Sequence, residues 1–500
     1  MQSNLDTLVS KLARGALAPD VSGFAALIKE GRDPLGDFFC NSVSASARRE
    51  EGATFTPDWL VQDMLDRIAL KAVPQRVIDV GAGTGRYALA AARRWPKAVV
   101  VAVEKNPVLA ESIKANARIS RLRIKVICED FIDLQLPKID GVTAFIGNPP
   151  YVRHHDIPAH TKQWYADEMK RQGLNNSLLA GLHIYFFLKS FLLSAKGDIG
   201  CFVTAAEWTE TGYGEGMRHL FCRMGGDEII RVNPTQKVFA DALTTSIISG
   251  WSVGNSDSVT VKDLRDGIAT TRFIAPHEEL QSHRKWPGYG LQLPEITAAG
   301  SILGDYFQVN RGQVTGMNAV WIATEKTAPL IPSRYLFPCV TGAREVITAN
   351  GLLSDNRILQ RVIDLPLNLN ELSTPERRKV DRFLEIAAAA GARDTYVARH
   401  RQAWWKVGLK SPPSVIMTYM GRRPPCFARN ACGARIINVA HGLTPKRTLS
   451  APIVDRIVQW LNQNVKISHG RTYGGGLVKF EPAEAMSIAM PASPAIVAVA

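Results

Sequence analysis

The chain has 500 residues, a formal net charge of +14 and an isoelectric point near 9.5. This length exceeds what one ordinary core organises, so we expect two large domains or three smaller ones. The charge favours a polyanionic partner such as nucleic acid or an anionic membrane surface, and charge that serves only solubility is the alternative. No segment is apolar enough over about 18 residues to span a bilayer, and the N-terminus lacks the apolar core of a signal peptide. We therefore expect a cytoplasmic protein without a membrane partner.

The first strongly patterned element is a helix within residues 53–73. Thr56 is its predicted N-cap, Pro57 its first helical residue, and apolar residues follow at helical spacing. Short apolar runs, separated by helical stretches, then predict strands. In chain order, the predicted strands lie at residues 76–83, 99–107, 125–131, 141–151, 197–208 and 244–253.

This alternation predicts an α/β fold with a doubly wound, mostly parallel sheet. Right-handed crossovers place the carboxyl ends of the strands along one edge, where such sheets bind ligands. The alternation fades after about residue 270, and residues 256–273 are predicted to be β structure leading out of the domain. We therefore predict a ligand-binding domain at 1–275 and a mixed α+β domain at 276–500.

A glycine-rich turn follows the first predicted strand. It reads DVGAGTGR from Asp79 to Arg86, with glycines at Gly81, Gly83 and Gly85. Glycine permits a tight turn and lets a ligand approach the backbone. The spacing is G-x-G-x-G rather than the G-x-G-x-x-G of dinucleotide sites, so NAD fits poorly. A glycine turn that binds nothing is the alternative.

Acidic and aromatic residues end the next two strands. Glu104 ends the second strand, where an acid can accept both hydroxyls of a ribose. Asp130 and Phe131 end the third, where the carboxylate could accept from an adenine amino group and the ring could pack on the purine face. Together with the glycine turn, these residues predict an adenosine pocket.

The fourth strand ends in the sequence Asn148, Pro149, Pro150, Tyr151. The two prolines remove two N–H donors and fix the backbone, which leaves carbonyl groups exposed. The Asn148 side-chain oxygen and the Pro149 carbonyl would then form a rigid acceptor pair that suits a planar amine. Tyr151 supplies a flat ring on which a base can stack, and a base in a duplex must be flipped out to reach such a pocket. The alternative is a Pro-Pro turn that only ends a strand.

These motifs resemble the class I methyltransferases that use S-adenosylmethionine (AdoMet), in particular the gamma group of N6-adenine DNA methyltransferases of bacterial restriction–modification systems. The resemblance implies a Rossmann-like catalytic domain, AdoMet as cofactor, and double-stranded DNA as substrate. It also implies that the TFTP segment closes over the methionine part of AdoMet and that Phe239 packs against the flipped adenine opposite Tyr151. Phe239 as an ordinary core residue is the alternative. The TFTP residues are Thr54, Phe55, Thr56 and Pro57.

The C-terminal half carries a strongly basic segment. Residues 309–322 and 471–482 resemble the start and end of the family's target-recognition domain, and residues 395–454 contain no Asp or Glu. Lys and Arg neutralise phosphates, and Arg can bind guanine edges. The tryptophans of this segment are predicted to be core residues rather than base-stacking ones. The predicted DNA-binding residues are Arg399, Arg401, Lys406, Lys410, Arg422, Arg423, Arg429 and Arg435.

Other functions remain compatible with the Asn-Pro-Pro-Tyr motif. Methylation of RNA adenine, of a protein glutamine, or of cytosine N4 would each present a planar amine to the same acceptors, and a catalytically silent DNA-binding relative is a further alternative. The sequence shows no nuclease signature, so any cognate restriction endonuclease would be a separate protein. No cysteine pair has metal-binding spacing, and we expect no metal and a monomeric enzyme.

Overall fold

The computed structural model describes residues 19–43, 55–232, 245–265, 267–283, 286, 301–473 and 477–491. The chain divides into two compact units, Met1–Leu291 and Gln292–Ala500. None of the helices in the described ranges combines the length and hydropathy that crossing a bilayer requires.

A nine-stranded mixed sheet forms the centre of the first unit. Its strand order is β3-β2-β1-β4-β5-β7-β6-β8-β9, and β1 to β5 are mutually parallel in their pairings. This is the predicted doubly wound, mostly parallel sheet, and its order reverses between β1 and β4. The strands are β1 (Arg76–Val80), β2 (Val99–Val103), β3 (Lys125–Ile127), β4 (Thr143–Gly147), β5 (Ile199–Ala205), β6 (Gly226–Val232), β7 (Ser246–Ser252), β8 (Ser258–Arg265) and β9 (Ile268–Pro276).

Helices of the first unit cover both faces of this sheet. They are α1 (Pro19–Lys29), α2 (Pro34–Ser42), α3 (Asp58–Lys71), α4 (Arg86–Arg94), α5 (Pro107–Ile119), α6 (Ala159–Arg171), α7 (Leu182–Leu193), α8 (Glu215–Arg223) and α9 (His277–Ser282).

Alternate residues of the central strand serve the two layers. Ile78 and Val80 of β1 pack in one core with residues of α6, α7 and α8. Val77 points to the opposite core, which contains residues of α3 and α4. All five residues of β1 are buried, as expected for a strand with helices on both sides. Each fully buried aliphatic side chain stabilises the fold by about 1.5–3 kcal/mol, so these two cores hold the strand ends of the site in place.

The far end of the sheet differs from the sequence prediction. Residues 256–273 do not lead out of the domain, because β8 pairs in parallel with β6 and β9 pairs antiparallel with β8. Val259 and Val261 of β8 are buried in the core of the first unit, together with Leu280 and Trp286. The strand β6 was not predicted.

The second unit is a mixed α+β structure, as predicted. Its largest sheet has five strands in the order β11-β19-β15-β17-β13, and smaller sheets join β14-β12-β18, β16-β21-β20 and β10-β22. The strands are β10 (Ser301–Ile302), β11 (Phe307–Arg311), β12 (Leu336–Val340), β13 (Leu352–Leu353), β14 (Gln360–Ile363), β15 (Val415–Thr418), β16 (Met420–Gly421), β17 (Phe427–Asn430), β18 (Arg435–Ile436), β19 (Ala440–Pro445), β20 (Arg471–Tyr473), β21 (Leu477–Lys479) and β22 (Ala489–Met490).

The helices of the second unit differ widely in length. The amphipathic helix at 451–464 buries Val454, Ile457 and Leu461 in one core with Met417 and Phe427 of the five-stranded sheet. The helices are α10 (Leu303–Tyr306), α11 (Asn318–Trp321), α12 (Ala343–Thr348), α13 (Thr374–Ala389), α14 (Tyr396–Arg399), α15 (Ala451–Asn464) and α16 (Pro482–Met486).

Candidate active site

A cavity of about 630 Å³ lies at the carboxyl ends of β1 to β4 in the first unit. This volume is within the ordinary range of small-molecule sites. Segments that are far apart in the sequence meet there because parallel strands end at the same edge of the sheet. The predicted site residues that line it are Phe55, Thr56, Gly81, Gly83, Glu104, Asp130, Phe131, Asn148 and Pro150.

Other predicted site residues lie outside this lining. Thr54 and Phe239 fall outside the described residues, so their predicted roles stay predictions. The remaining ones are Pro57, Asp79, Gly85, Pro149 and Tyr151, which flank the lining segments in the sequence.

The glycine turn has the backbone that its sequence predicts. Gly81 and Gly83 adopt φ angles of +68° and +59°, a conformation that residues with a side chain rarely adopt. Asp79 is fully buried beneath the turn, and its Oδ2 accepts a hydrogen bond from the Ala88 N–H in the first turn of α4 at 2.9 Å. Burial raises the pKa of Asp79 to about 8. This hydrogen bond therefore links Asp79 at the end of β1 to the first turn of α4.

Glu104 joins the glycine turn to the following loop. Its Oε2 accepts from the Gly83 N–H at 2.8 Å, and its Oε1 accepts from the Asn106 N–H at 2.8 Å. The Asn106 side chain in turn caps α5, accepting from the Val108 N–H at 3.0 Å. Each carboxylate oxygen can accept more than one hydrogen bond, so the two oxygens are held in position and retain capacity for a diol.

An aromatic wall closes another side of the cavity. Phe131 is 2% exposed, and its ring lies 5.0 Å from the Phe186 ring at an interplanar angle of 33°. Asp130 beside it accepts from the Ile132 N–H through Oδ1 at 3.0 Å. Phe186 and Leu182 were missed by the sequence analysis, although both line the cavity. Their spacing of four residues on α7 is the signal that could have identified them, since such residues share a helix face.

The TFTP segment differs from its prediction in one respect. Helix α3 begins at Asp58 with Pro57 in the N-cap position, so the assignment of Thr56 as the N-cap was wrong. The Thr56 hydroxyl instead accepts a hydrogen bond from Asn148 Nδ2 at 3.2 Å. The Thr56 side chain therefore contacts Asn148, which follows β4, instead of capping α3.

Arg86 and Asp33 tie three segments together, and neither residue was predicted. Arg86 donates to Asp33 Oδ2 at 2.7 Å and to the Thr56 carbonyl at 2.8 Å, and its guanidinium carbon lies 5.3 Å from the centre of the Phe55 ring. Asp33 Oδ2 also accepts from the Thr84 hydroxyl at 2.5 Å. The position of Arg86 directly after the last glycine was the available signal, whereas nothing in the sequence links Asp33 to the turn.

The Asn148–Tyr151 segment follows β4 directly. Asn148 and Pro150 are half-buried, and Pro149 is buried. The Tyr151 ring lies 6.2 Å from the ring of His183 on α7. Burial raises the pKa of Tyr151 and lowers the pKa of His183 to about 4. Both side chains are therefore neutral at physiological pH.

Comparisons with known proteins found relatives over most of the chain. A family model of the Eco57I restriction-modification methylase matches residues 110–239, and one of the C-terminal domain of the type II methyltransferase M.Eco57I matches residues 291–499. The chain is 42% identical over 448 residues to the type II methyltransferase M.XamI of Xanthomonas campestris pv. amaranthicola, over 88% of this chain and 85% of that protein. The chain belongs to the type II methyltransferases of restriction–modification systems. It is a DNA methyltransferase, as the motifs predicted.

Two further similarities are weaker, one in sequence identity and the other in the share of the chain that it covers. The fold of the methyltransferase resembles that of the type IIL restriction-modification enzyme MmeI in complex with DNA, with a TM-score of 0.57 and 11% identity over 85% of this chain and 66% of that chain. A tRNA1(Val) (adenine(37)-N6)-methyltransferase of Porphyromonas gingivalis is 37% identical over 90 residues, only 17% of this chain and 35% of that protein. The RNA alternative is therefore not favoured over DNA.

In the basic segment of the methyltransferase, some cations make ion pairs or hydrogen bonds within the second unit, and others are exposed to solvent. Arg429 pairs with Asp455 at 2.5 Å, and Lys406 pairs with Asp364 at 3.2 Å. These two cations hold neighbouring elements of the second unit together. Arg429 and Lys406 therefore have a structural role, and their role in binding DNA stays a prediction.

Arg435 and Arg401 are also engaged within the second unit. The Arg435 guanidinium lies 3.9 Å from the centre of the Phe337 ring and donates to the Leu409 carbonyl at 2.9 Å. Arg401 donates to the Val314 carbonyl at 2.8 Å. Trp404 and Trp405 are partly buried and pack against a buried cluster, which supports the predicted core role of the tryptophans.

The other predicted DNA-binding residues are exposed. They are Arg399, Lys410, Arg422 and Arg423. Arg399 lies 3.8 Å from Asp394, a weak surface contact. Lys446 and Arg447 are exposed as well. We call Lys410, Arg422, Arg423, Lys446 and Arg447 the exposed basic set.

Proposed function

We propose that this methyltransferase binds AdoMet in the cavity of its first unit and transfers the methyl group to N6 of an adenine flipped out of duplex DNA. The observation that carries the proposal is the convergence of the glycine turn, Glu104, Asp130 and Asn148 on one cavity. The glycine turn and the two acids would receive the cofactor, and Asn148 would receive the target amine beside it.

The chemistry of the lining fits AdoMet. The held carboxylate of Glu104 suits a ribose diol, and the Phe131 and Phe186 rings offer apolar faces to a purine. Asp130 would accept from the adenine amino group. Phe55 and Thr56, which also line the cavity, would contact the methionine part. When bound, AdoMet supplies an activated methyl group on its sulfonium sulfur.

Asn148 and Pro149 would then act on the target base. Two acceptors that hold both protons of a planar amine draw its lone pair out of conjugation and direct it at the methyl group. No metal and no covalent intermediate is needed, because the protein contributes orientation and electrostatics. Tyr151 would stack on the flipped base, with Phe239 as the predicted opposite face.

The second unit would recognise the target sequence. The exposed basic set provides charge for phosphate contacts, which position a protein on DNA without reading its sequence. The enzyme would act as a monomer and protect its own DNA from a separate cognate endonuclease.

The direct test uses purified protein, methyl-labelled AdoMet and duplex DNA from cells that lack the enzyme. After digestion to nucleosides, mass spectrometry identifies the labelled base. The proposal predicts label in N6-methyladenine. Label in N4-methylcytosine would keep the acceptor chemistry and overturn the adenine assignment, and label in RNA but not in DNA would reject the proposed substrate.

A further inference from the structure

We propose that Asp33, acting through Arg86, is a positioning residue for the amino-acid part of AdoMet. It holds the Phe55 ring and the Thr56 backbone at the wall of the cavity. This inference rests on the proposed function, because that proposal places Phe55 and Thr56 against the methionine part. It adds two residues that the sequence analysis did not assign to the site.

Asp33 accepts three hydrogen bonds at the start of α2. Its Oδ1 accepts from the Gly36 N–H at 2.9 Å, which caps the helix. Its Oδ2 accepts from the Thr84 hydroxyl at 2.5 Å and from Arg86 Nε at 2.7 Å. Both oxygens of the carboxylate are therefore in use. The side chain is only 7% exposed, so water does not readily replace a lost partner.

The Arg86 guanidinium carries this position to the TFTP segment. While Nε is bound to Asp33, Nη1 donates to the Thr56 carbonyl at 2.8 Å. A guanidinium is planar and its N–H groups form a fixed fork, so the bond at Nε sets the direction in which Nη1 points. The ammonium group of a lysine has no such fork. Asp33 therefore places the Thr56 backbone through geometry as well as charge.

The Phe55 ring is supported by the same elements. The guanidinium carbon of Arg86 lies 5.3 Å from the centre of this ring, and the Phe39 ring of α2 lies 5.8 Å away at an interplanar angle of 54°. A Cβ added at Gly83 would lie 3.7 Å from the Phe55 ring, so the ring also lies beside the glycine turn. Phe55, Thr56 and Arg86 all line the cavity. The lining residues of the TFTP segment therefore depend on contacts with Asp33 and α2.

The adenosine end of the cavity has separate supports. Glu104, assigned to the ribose, is held by two backbone N–H groups. The Thr84 carbonyl of the glycine turn accepts from Asn116 Nδ2 at 3.0 Å, so the turn keeps a support that does not involve Asp33. Loss of the Asp33 carboxylate should therefore weaken binding of the amino-acid part more than binding of the adenosine part.

The experiment measures, by calorimetry, the Kd of the full-length enzyme for AdoMet and for 5′-methylthioadenosine. The second ligand keeps the adenosine and the sulfur but lacks the amino-acid part. The variants are Asp33→Asn, Arg86→Lys and the corresponding double variant. A melting curve of each variant shows that it is folded.

Matched controls lie at the amino ends of β1 and β5, away from the cavity. Asp198→Asn alters another buried aspartate, which accepts from the Thr143 and Ala195 N–H groups. Arg76→Lys alters an arginine that donates to the Thr143 hydroxyl and to the Pro137 carbonyl. Each control should lower the melting temperature without changing the ratio of the two Kd values.

We expect Asp33→Asn to raise the AdoMet Kd by about 10-fold, as for the loss of one charge-assisted hydrogen bond, while the methylthioadenosine Kd stays within about twofold of wild type. Arg86→Lys keeps the positive charge but not the fork, and it should change the ratio by a similar factor. The double variant should be no worse than the larger single effect, because both substitutions break one chain of contacts.

Three outcomes would overturn the inference. One is an AdoMet Kd of Asp33→Asn within about twofold of wild type. Another is an equal rise in the Kd of both ligands, which would make Asp33 a support of the whole cavity. The third is a double variant in which the two single effects multiply, which would show that Asp33 does not act through Arg86. A wild-type enzyme that binds no AdoMet would instead contradict the proposed function, and this is measured before any variant.

Discussion

The cavity of the first unit and the exposed basic set of the second unit use polar residues in opposite ways. In the cavity, single groups are buried and held by several bonds, as Glu104 is by the backbone of Gly83 and Asn106. In the second unit, the exposed basic set lies on loops and carries charge toward solvent. Replacing one residue should therefore matter greatly in the first region and modestly in the second.

This difference has a physical basis. Methyl transfer depends on reacting atoms that are aligned closely, so each positioning group is supported by others. Attraction to phosphates is a summed, long-range effect in which many cations share the work. A site of closely aligned groups can be recognised from compact sequence motifs. A surface on which many cations share the work is recognised mainly from the amino-acid composition.

The largest effect should follow the substitution Asn148→Ala. Loss of the side-chain acceptor should lower kcat by about 100- to 1000-fold, the usual cost of removing one positioned catalytic hydrogen-bond group. The AdoMet Kd, measured by calorimetry, should stay within about threefold of wild type. Retained turnover would remove Asn148 from the central role and weaken the contrast between the two regions.

A smaller but still large effect is expected for Glu104→Gln, measured as AdoMet affinity. Both oxygens of Glu104 accept from backbone N–H groups, so an amide must direct its NH2 at one of these donors. A lost charged hydrogen bond costs about 1.5–3 kcal/mol, so the Kd should rise by about 10- to 100-fold. The control is Glu111→Gln on α5, which removes a surface pair with Lys114. Equal Kd values for the two variants would contradict the role of Glu104.

A moderate effect is expected for the double substitution Arg422→Ala/Arg423→Ala in the exposed basic set. DNA affinity should fall by about 10-fold, and the slope of log K against log salt should become shallower by about 2. The comparison variant is Arg429→Ala, which breaks the pair with Asp455 and should lower the melting temperature with an unchanged salt slope. If Arg429→Ala made the salt slope shallower and the double variant left it unchanged, the DNA-binding role would move from Arg422 and Arg423 to Arg429.

The last prediction concerns stability rather than catalysis or DNA binding, and it depends on Asp79 and pH. Burial raises the pKa of Asp79 in the folded protein to about 8 from the ordinary aspartate value of 3.8, so the folded state holds a proton that the unfolded state releases between these values. Stability from this group is therefore lost as the pH rises from about 4 to about 8. Asp79→Asn removes the titration, so the melting temperature of the variant relative to wild type should increase from pH 5 to pH 8. A difference that is constant over this range would show that Asp79 is already ionised in the folded protein.

The sequence predicted those parts of the site that depend on local conformation. The glycine turn and the Asn148–Tyr151 segment follow strands whose apolar runs are easily recognised, and the parallel topology then brings them to one edge. The predicted strands extend past the observed ends, as at Val103, because the residues that follow form the loops around the cavity. Local pattern and tertiary structure agree there.

The sequence could not predict contacts that depend on distant packing. Asp33 lies 53 residues before Arg86, and no local pattern reports their ion pair. Thr56 has the sequence of an N-cap, but its hydroxyl is engaged by Asn148, which lies 92 positions away. In the second unit, composition identified a basic segment but did not separate the half-buried Arg429, which lies against Asp455, from the exposed Arg422. That separation depends on where Asp455 lies in the fold.

The most direct test of the central claim is single-molecule sequencing of genomic DNA from cells that express wild-type enzyme, the Asn148→Ala variant or neither. We expect N6-methyladenine at one short sequence motif in cells with the wild-type enzyme, and none at that motif in the other two. A modified base that persists with Asn148→Ala, or the absence of any modified base with the wild-type enzyme, would contradict the assignment of this cavity to adenine methylation.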